Sequence, residues 1–161
     1  MRRAPRQSPN SSSAVQFSDQ ELAAWHGMLT VYSRIMRDSD RGLLGSHGIS
    51  TREFDVLITL FNAPDRRLRM TELAQQVMLS PSGLTRLVER LERARLVERR
   101  NDPSDARSFS AVLTDQGLQR LDEARATHNA VIRAHLTDRL TEQELRQLGG
   151  IWRKVLRDQH G

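Results

Sequence analysis

The residues with the most distinctive chemistry in this sequence lie between positions 80 and 90. Ser80-Pro81 is typical of a helix N-cap followed by proline at the first helical position, where the missing N–H costs nothing. The polar side chains that this helix would present to a partner are Ser80, Ser82, Thr85, Arg86 and Arg90.

These residue types point to the recognition of nucleic acid. Hydroxyl groups and the unpaired amides of a helix start suit phosphate oxygens, so we interpret Ser80 and Ser82 as phosphate contacts. A guanidinium can donate two hydrogen bonds to O6 and N7 of guanine. We therefore expect Thr85 and Arg86 to face base edges, with Arg90 one helical turn further on. The alternative, in which Arg86 and Arg90 are only the solvated face of an amphipathic helix, stays open.

Two short helices joined by a tight turn would position these side chains. The first is predicted over residues 71–77, and the second has one apolar face built from Leu84, Leu87, Val88 and Leu91. This arrangement is typical of a helix-turn-helix. The segments 96–100 and 108–113 follow and flank a polar, Pro-containing stretch, so they are predicted to form a β-hairpin.

Longer helices are predicted on both sides of this unit. Capping-box spacing occurs at residues 18–21, 50–53 and 141–144, and a further helix is predicted to start at Thr114. The glycine-containing stretch 42–48 is expected to break the first helix, and Pro64-Asp65 to end the second. The first helix has two apolar stripes, and the last two helices have stripes with no partner in so small a core. These outer helices therefore need a further surface to pack against.

Length and charge limit the possible functions. The chain of 161 residues allows one domain of ordinary size and carries a formal charge of +5, with 24 arginines and a single lysine, Lys154. Ten arginines and six acidic residues lie between positions 66 and 107, a local net charge of +4. Such a concentration suggests a polyanionic partner. Codon bias in a GC-rich genome is the alternative explanation for the arginine excess.

Several kinds of chemistry are excluded or disfavoured. The sequence has no cysteine, so disulfides, thiolate metal sites and thiol-based redox sensing are excluded. The five histidines show no close ligand pair, and no Gly-rich phosphate loop or nucleophile motif is present, so we predict no metal, no cofactor and no enzymatic activity. No apolar run is long enough to span a membrane, and no secretory signal is apparent, so a cytoplasmic location without membrane association is expected.

Five sequence motifs in a fixed order carry a family resemblance. They are Leu73-Ala74, the run LSPSGLTRLVERLE at 79–92, LVER at 96–99, DPSDAR at 102–107 and LTDQG at 113–117. In this order and spacing they resemble the MarR family of winged-helix transcriptional regulators, most strongly over residues 66–117. The departures are Gly83 inside the predicted helix and Ala94-Arg95, where members often have a glycine.

The resemblance implies a homodimer whose outer helices interlock and which binds double-stranded DNA. A dimer reads two half-sites about one helical turn, ~10 bp, apart, so we expect a pseudo-palindromic operator. In the resembled family the arginine of the hairpin turn enters the minor groove while an aspartate orients it, which implies these roles for Arg107 and Asp105. Repression is expected because the family usually acts by occluding promoters.

The resemblance also implies a small, often aromatic or anionic, effector ligand bound between the dimer helices and the DNA reader. The residues in the corresponding region are Trp25, His26, Tyr32 and Asp55. Trp25 and Tyr32 belong to the apolar stripe of the first helix, so plain core or dimer packing is an alternative. Asp55 lies on the predicted polar face of its helix, so simple solvation is an alternative.

The sequence therefore predicts a mainly α fold with a small β-hairpin wing: a winged helix-turn-helix domain with N- and C-terminal dimerisation helices. The predicted regions are a disordered basic tail at 1–16, a dimerisation helix at 17–48, the DNA-binding domain at 49–113 and dimerisation helices at 114–161. The predicted function is a ligand-responsive repressor. The alternative is a ligand-independent architectural or protein-recruiting DNA-binding protein.

Overall fold

The computed structural model describes residues 16–102 and 105–157, without the side chains of residues 102 and 105–108. The predicted tail and the turn at 103–104 thus fall almost wholly outside the described residues. The order of elements is α1 (Asp19–His47), α2 (Thr51–Asn62), β1 (Arg67–Arg69), α3 (Met70–Gln76), α4 (Pro81–Arg93), β2 (Val97–Asp102), β3 (Asp105–Leu113), α5 (Asp115–His135) and α6 (Glu142–Leu156). Single 3₁₀ turns precede β1 and α6.

Helix α1 begins at the predicted capping box, where the Ser18 side chain accepts from the Glu21 backbone N–H. The expected break within 42–48 is wrong for most of that stretch, because the helix continues to His47 and ends at Gly48, whose φ is +66°. Gly42 lies inside the helix, and a Cβ there would be 3.0 Å from the Thr127 methyl group of α5. This glycine therefore serves the close approach of two helices rather than a turn.

Helix α2 is fixed at its start from two directions. Its own capping box joins Ser50 and Glu53, and the Thr51 N–H donates to Asp40 Oδ1 of α1 at 2.9 Å. Along its length α2 packs on α5, where the centroids of the Phe54 and His128 rings lie 4.6 Å apart. The helix ends at Asn62, just before Pro64 as predicted.

The wing is a three-stranded antiparallel sheet in the order β1-β3-β2, one strand more than the predicted hairpin. The additional strand β1 pairs Arg67 with Val112 and Arg69 with Ser110 of β3. Three residues are too few for an alternating pattern to appear in a sequence, and the pairing joins segments that are distant along the chain. Both reasons explain why β1 was missed.

One apolar core joins α2, α3, α4, the sheet and the first half of α5. Its largest fully buried side chains include Leu57, Leu73, Leu84, Leu96 and Leu121. The first half of α1 and the whole of α6 lie outside this core and carry exposed large apolar side chains. No helix in the described ranges combines the length and the apolar character that crossing a bilayer requires.

Candidate nucleic-acid interface

The start of α4 has the predicted cap. Ser80 has extended backbone dihedrals, and its Oγ accepts from the Gly83 N–H at 3.2 Å, while Pro81 occupies the first helical position. The Ser82 hydroxyl is exposed and lies 3.4 Å from the Ser80 hydroxyl. Four buried apolar side chains of α4 fix its other face in the core: Leu84, Leu87, Val88 and Leu91. The hydroxyls and the helix start are therefore presented at the surface.

Thr85 and Arg86, the predicted base readers, differ in how free they are. The Thr85 hydroxyl donates to the Pro81 carbonyl at 2.9 Å, so its proton is used within the helix. Arg86 is exposed, and within the described part of the chain its side chain has no hydrogen-bond or ion-pair partner. An exposed guanidinium with all its donors available can make the bidentate contact that a guanine edge offers.

Arg90, one turn further along α4, is held by another helix. Its Nε lies 3.2 Å from Oε1 of Glu53 on α2, and the Glu53 side chain is only 13% exposed. The sequence did not indicate this pair, because the two residues are 37 positions apart. Each also has a local explanation: Glu53 belongs to a capping box, and Arg90 lies on the polar face of its helix.

Much of the positive charge of this region is compensated locally. Arg99 on β2 binds Glu92 at 2.9 Å and Glu89 at 4.0 Å, both on α4. Arg100 binds Glu98 at 2.8 Å, and this hydrogen bond raises the pKa of the Arg100 guanidinium. A count of charges along the sequence cannot show which arginines are paired across elements. The uncompensated Arg86 is therefore more informative than the net charge of +4.

Asp105 and Arg107 lie at the start of β3, which pairs with β2 from Val97↔Leu113 to Asp102↔Asp105. The hairpin that would carry them is thus present. Their side chains lie outside the described residues, so their roles at DNA stay predictions.

The residues predicted to bind an effector are not gathered in one place. Tyr32 lines an apolar groove of about 630 Å³ between α1 and α6. The residues along the groove are Ala24, Gly27, Met28, Val31, Tyr32, Ile35, Leu136, Leu148, Ile151 and Trp152. Trp25 and His26 are exposed on α1 without lining the groove, and Asp55 lies on α2. Ligand binding by these residues stays a prediction.

Asp55 instead lies half-buried on α2, close enough to the half-buried His128 of α5 for their charges to interact, which the sequence did not indicate. Burial raises the pKa of the Asp55 carboxyl, and the His128 charge opposes this effect. Burial also lowers the pKa of His128, and its Nδ1 atom is buried with no hydrogen-bond partner in the described structure. Only the packing of α2 on α5 brings these two titratable groups together. Within the described residues, no group of three or more His, Asp or Glu side chains is placed to hold a metal ion.

Known proteins are similar to this chain in sequence and in fold. The MarR family model matches residues 47–108. The HTH-type transcriptional regulator PrsX of Escherichia coli is 33% identical over 113 residues, which cover 68% of this chain and 67% of PrsX. The chain belongs to the MarR family. It is a DNA-binding transcriptional regulator with a winged helix-turn-helix, and MarR regulators are not enzymes.

Other MarR relatives extend the similarity. The HTH-type transcriptional repressor YetL of Bacillus subtilis is 32% identical over 111 residues, covering 67% of this chain and 66% of YetL, just under two thirds of its length. Among solved structures, Sco3205 of Streptomyces coelicolor, a MarR regulator in complex with DNA, is 34% identical with a TM-score of 0.79. That match covers 87% of this chain and 91% of Sco3205. The MarR family is typically dimeric.

Proposed function

We propose that this chain is a repressor that binds a pseudo-palindromic operator as a homodimer, with Arg86 reading a base edge. The observation that carries the proposal is the state of Arg86: it is exposed one turn into α4, opposite the buried stripe, and free of intramolecular partners among the described residues. The names of YetL and of MprA from Escherichia coli as transcriptional repressors support the sign of regulation.

The apolar groove between α1 and α6 supports the homodimer. Its lining is almost entirely apolar, and Ile151 remains 55% exposed in the single chain. Burying an aliphatic side chain of this size contributes about 1.5–3 kcal/mol, so several of them offer a strong driving force for association. Two symmetric copies would present two α4 helices to successive turns of the major groove.

Substitution of Arg86 tests the proposed reading of DNA. The operator is first defined by selecting duplexes from a random pool with the wild-type protein, and affinities are then measured for the selected duplex and for a scrambled one. R86A is expected to lose about 1–3 kcal/mol of discrimination between the two duplexes. R146A removes the same charge from α6, where Arg146 pairs with Glu142, and serves as the control. If R86A discriminates as well as wild type, Arg86 is not a base reader.

The proposal includes release from DNA by a small aromatic or anionic ligand. Tyr32 in the groove, its α1 neighbours Trp25 and His26, and the half-buried Asp55 are the residues proposed to recognise it. Aromatic acids and lipophilic cations are added to the complex with the selected duplex, and release of DNA is followed by fluorescence anisotropy. A set of uniformly inert compounds would instead favour the ligand-independent architectural protein.

A further inference from the structure

Glu53 uses its two carboxylate oxygens for two different purposes. Oε2 accepts from the backbone N–H and the hydroxyl of Ser50, both at 2.8 Å, and so completes the capping box of α2. Oε1 accepts from Arg90 Nε at 3.2 Å. The cap fixes where the carboxylate stands, and the second oxygen then fixes where the Arg90 guanidinium stands.

The position of Glu53 is itself well determined. Its side chain is 13% exposed, and the helix start that carries it is bound to α1 through the Thr51 N–H and Asp40 Oδ1 at 2.9 Å. A charged group that is already held by its own hydrogen bonds can orient a flexible partner without losing further side-chain entropy of its own.

Arg90 remains able to bind a second group. Its side chain is 54% exposed, and within the described residues only its Nε has a partner. The two terminal nitrogens of the guanidinium therefore keep their four N–H donors. Arg99 differs, because Glu92 takes its Nε and Glu89 lies 4.0 Å from one of its terminal nitrogens.

We propose that Glu53 is a positioning residue for DNA binding, which holds Arg90 by its Nε so that the terminal nitrogens meet a backbone phosphate. This inference rests on the proposed function. The two arginines of α4 then have different roles. Arg86, which has no partner among the described residues, recognises a specific base, whereas Arg90, fixed by α2, contributes affinity that does not depend on the DNA sequence. A fixed guanidinium suits phosphate because both terminal nitrogens can donate together.

A double-mutant cycle between E53Q and R90A tests the proposal. The single side-chain oxygen of glutamine can still accept the cap hydrogen bonds of Ser50, so helix α2 keeps its start. The other terminal atom becomes an NH2 group, which cannot accept from Arg90 Nε, so E53Q removes the contact to Arg90. Binding to the selected and the scrambled duplex is measured for wild type, both single variants and the double variant at several salt concentrations. E144Q is the matched control, because Glu144 completes the capping box of α6, and no arginine partner is seen for it in the described structure.

We expect R90A to weaken binding to both duplexes by a similar factor, on the order of 10-fold, and to lower the salt slope by about 1. E53Q should weaken both by a smaller factor in the wild-type background and have no effect once Arg90 is alanine. E144Q should bind as wild type does, and thermal unfolding of each variant separates folding from binding.

Three results would overturn the positioning role. Tighter binding by E53Q would mean that Glu53 withholds Arg90 from DNA. An equal loss from E53Q with and without Arg90 would mean that Glu53 acts by another route, and wild-type affinity in R90A would remove the phosphate contact. The proposed function has a separate test in the wild-type protein: failure to bind any duplex overturns both proposals, whereas normal binding without coupling overturns only the role of Glu53.

Discussion

The winged helix and the outer helices are built from similar local signals and end in opposite states. Capping boxes start α1, α2 and α6 alike. Leu57 and Leu84 of the winged helix are at most 1% exposed, whereas Trp25 of α1 and Ile151 of α6 are 52% and 55% exposed. A good helix signal therefore does not say whether one chain can bury the apolar face of that helix.

The largest effect is expected from a polar substitution in the exposed apolar surface of the outer helices. Ile151→Asp places a charge in the groove between α1 and α6 and should abolish dimerisation, because an unpaired charge is costly to bury. Two linked readers bind far more tightly than one, so affinity for the operator should fall by at least about 100-fold. Sedimentation and DNA titration measure the two effects.

Gln147→Asp is the matched control for this substitution. Gln147 is exposed on the same helix and does not line the groove, so the same added charge should leave the dimer intact. A dimeric Ile151→Asp protein with normal affinity would show that the groove is not the interface.

The next largest effect is expected at the junction between the winged helix and the outer helices. Gly117 lies in the first turn of α5. A Cβ there would overlap the carbonyl oxygen of Leu96, the residue before β2, and lie 2.8 Å from a methyl group of Leu113. Backbone cannot give way cheaply, so Gly117→Ala should lower the free energy of unfolding by about 1–3 kcal/mol or more. Urea unfolding followed by circular dichroism measures the change.

Gly45 provides the contrasting glycine for this experiment. It lies inside α1, and a Cβ added there would meet no atom within 4 Å, so Gly45→Ala should stabilise the helix by up to about 1 kcal/mol. Equal effects of the two alanines would show that α5 is not packed tightly on the wing.

The parts of the fold that sequence reasoning found depend on local signals. Caps such as Ser80 and stripes such as that of α4 involve residues three or four positions apart, so the six helices and the hairpin could be predicted. What it missed requires long-range packing: β1 pairs with a strand more than 40 residues away, and Glu53 reaches Arg90 across 37 residues. The pairing of Asp55 with His128 is missed for the same reason.

A smaller effect is expected inside the helix-turn-helix itself. Met78, in the turn between α3 and α4, has a φ of +51° and is 87% exposed. A left-handed backbone costs a residue with a side chain about 1–2 kcal/mol. Glycine avoids this cost, but the greater flexibility of its unfolded chain offsets part of the gain in stability. Met78→Gly should therefore be more stable than Met78→Ala by about 0.5–1 kcal/mol in thermal unfolding. Equal stability of the two variants would contradict a strained turn.

The subtlest probe is the pH dependence of the half-buried pair where α5 meets α2. Burial lowers the pKa of His128 below its ordinary value near 6.5, so the folded state favours the neutral ring and loses stability as the pH falls below that value. The raised pKa of Asp55 acts in the opposite direction, because the folded state takes up this proton more readily, but from the lower ordinary value of a carboxyl group. Between pH 7.5 and 5.5 the His128 effect should therefore dominate, and the free energy of unfolding should decrease.

Two variants separate the partners of this pair. His128→Gln should flatten the pH dependence of the unfolding free energy between pH 7.5 and 5.5, because the proton-binding ring is gone. Asp55→Asn removes the carboxylate that favours the charged ring, so the pKa of His128 should fall further and the loss of stability should extend to lower pH. Urea titrations at a series of pH values measure both. If His128→Gln kept the full wild-type slope, the loss of stability would come from other titrating groups and not from burial of the His128 ring.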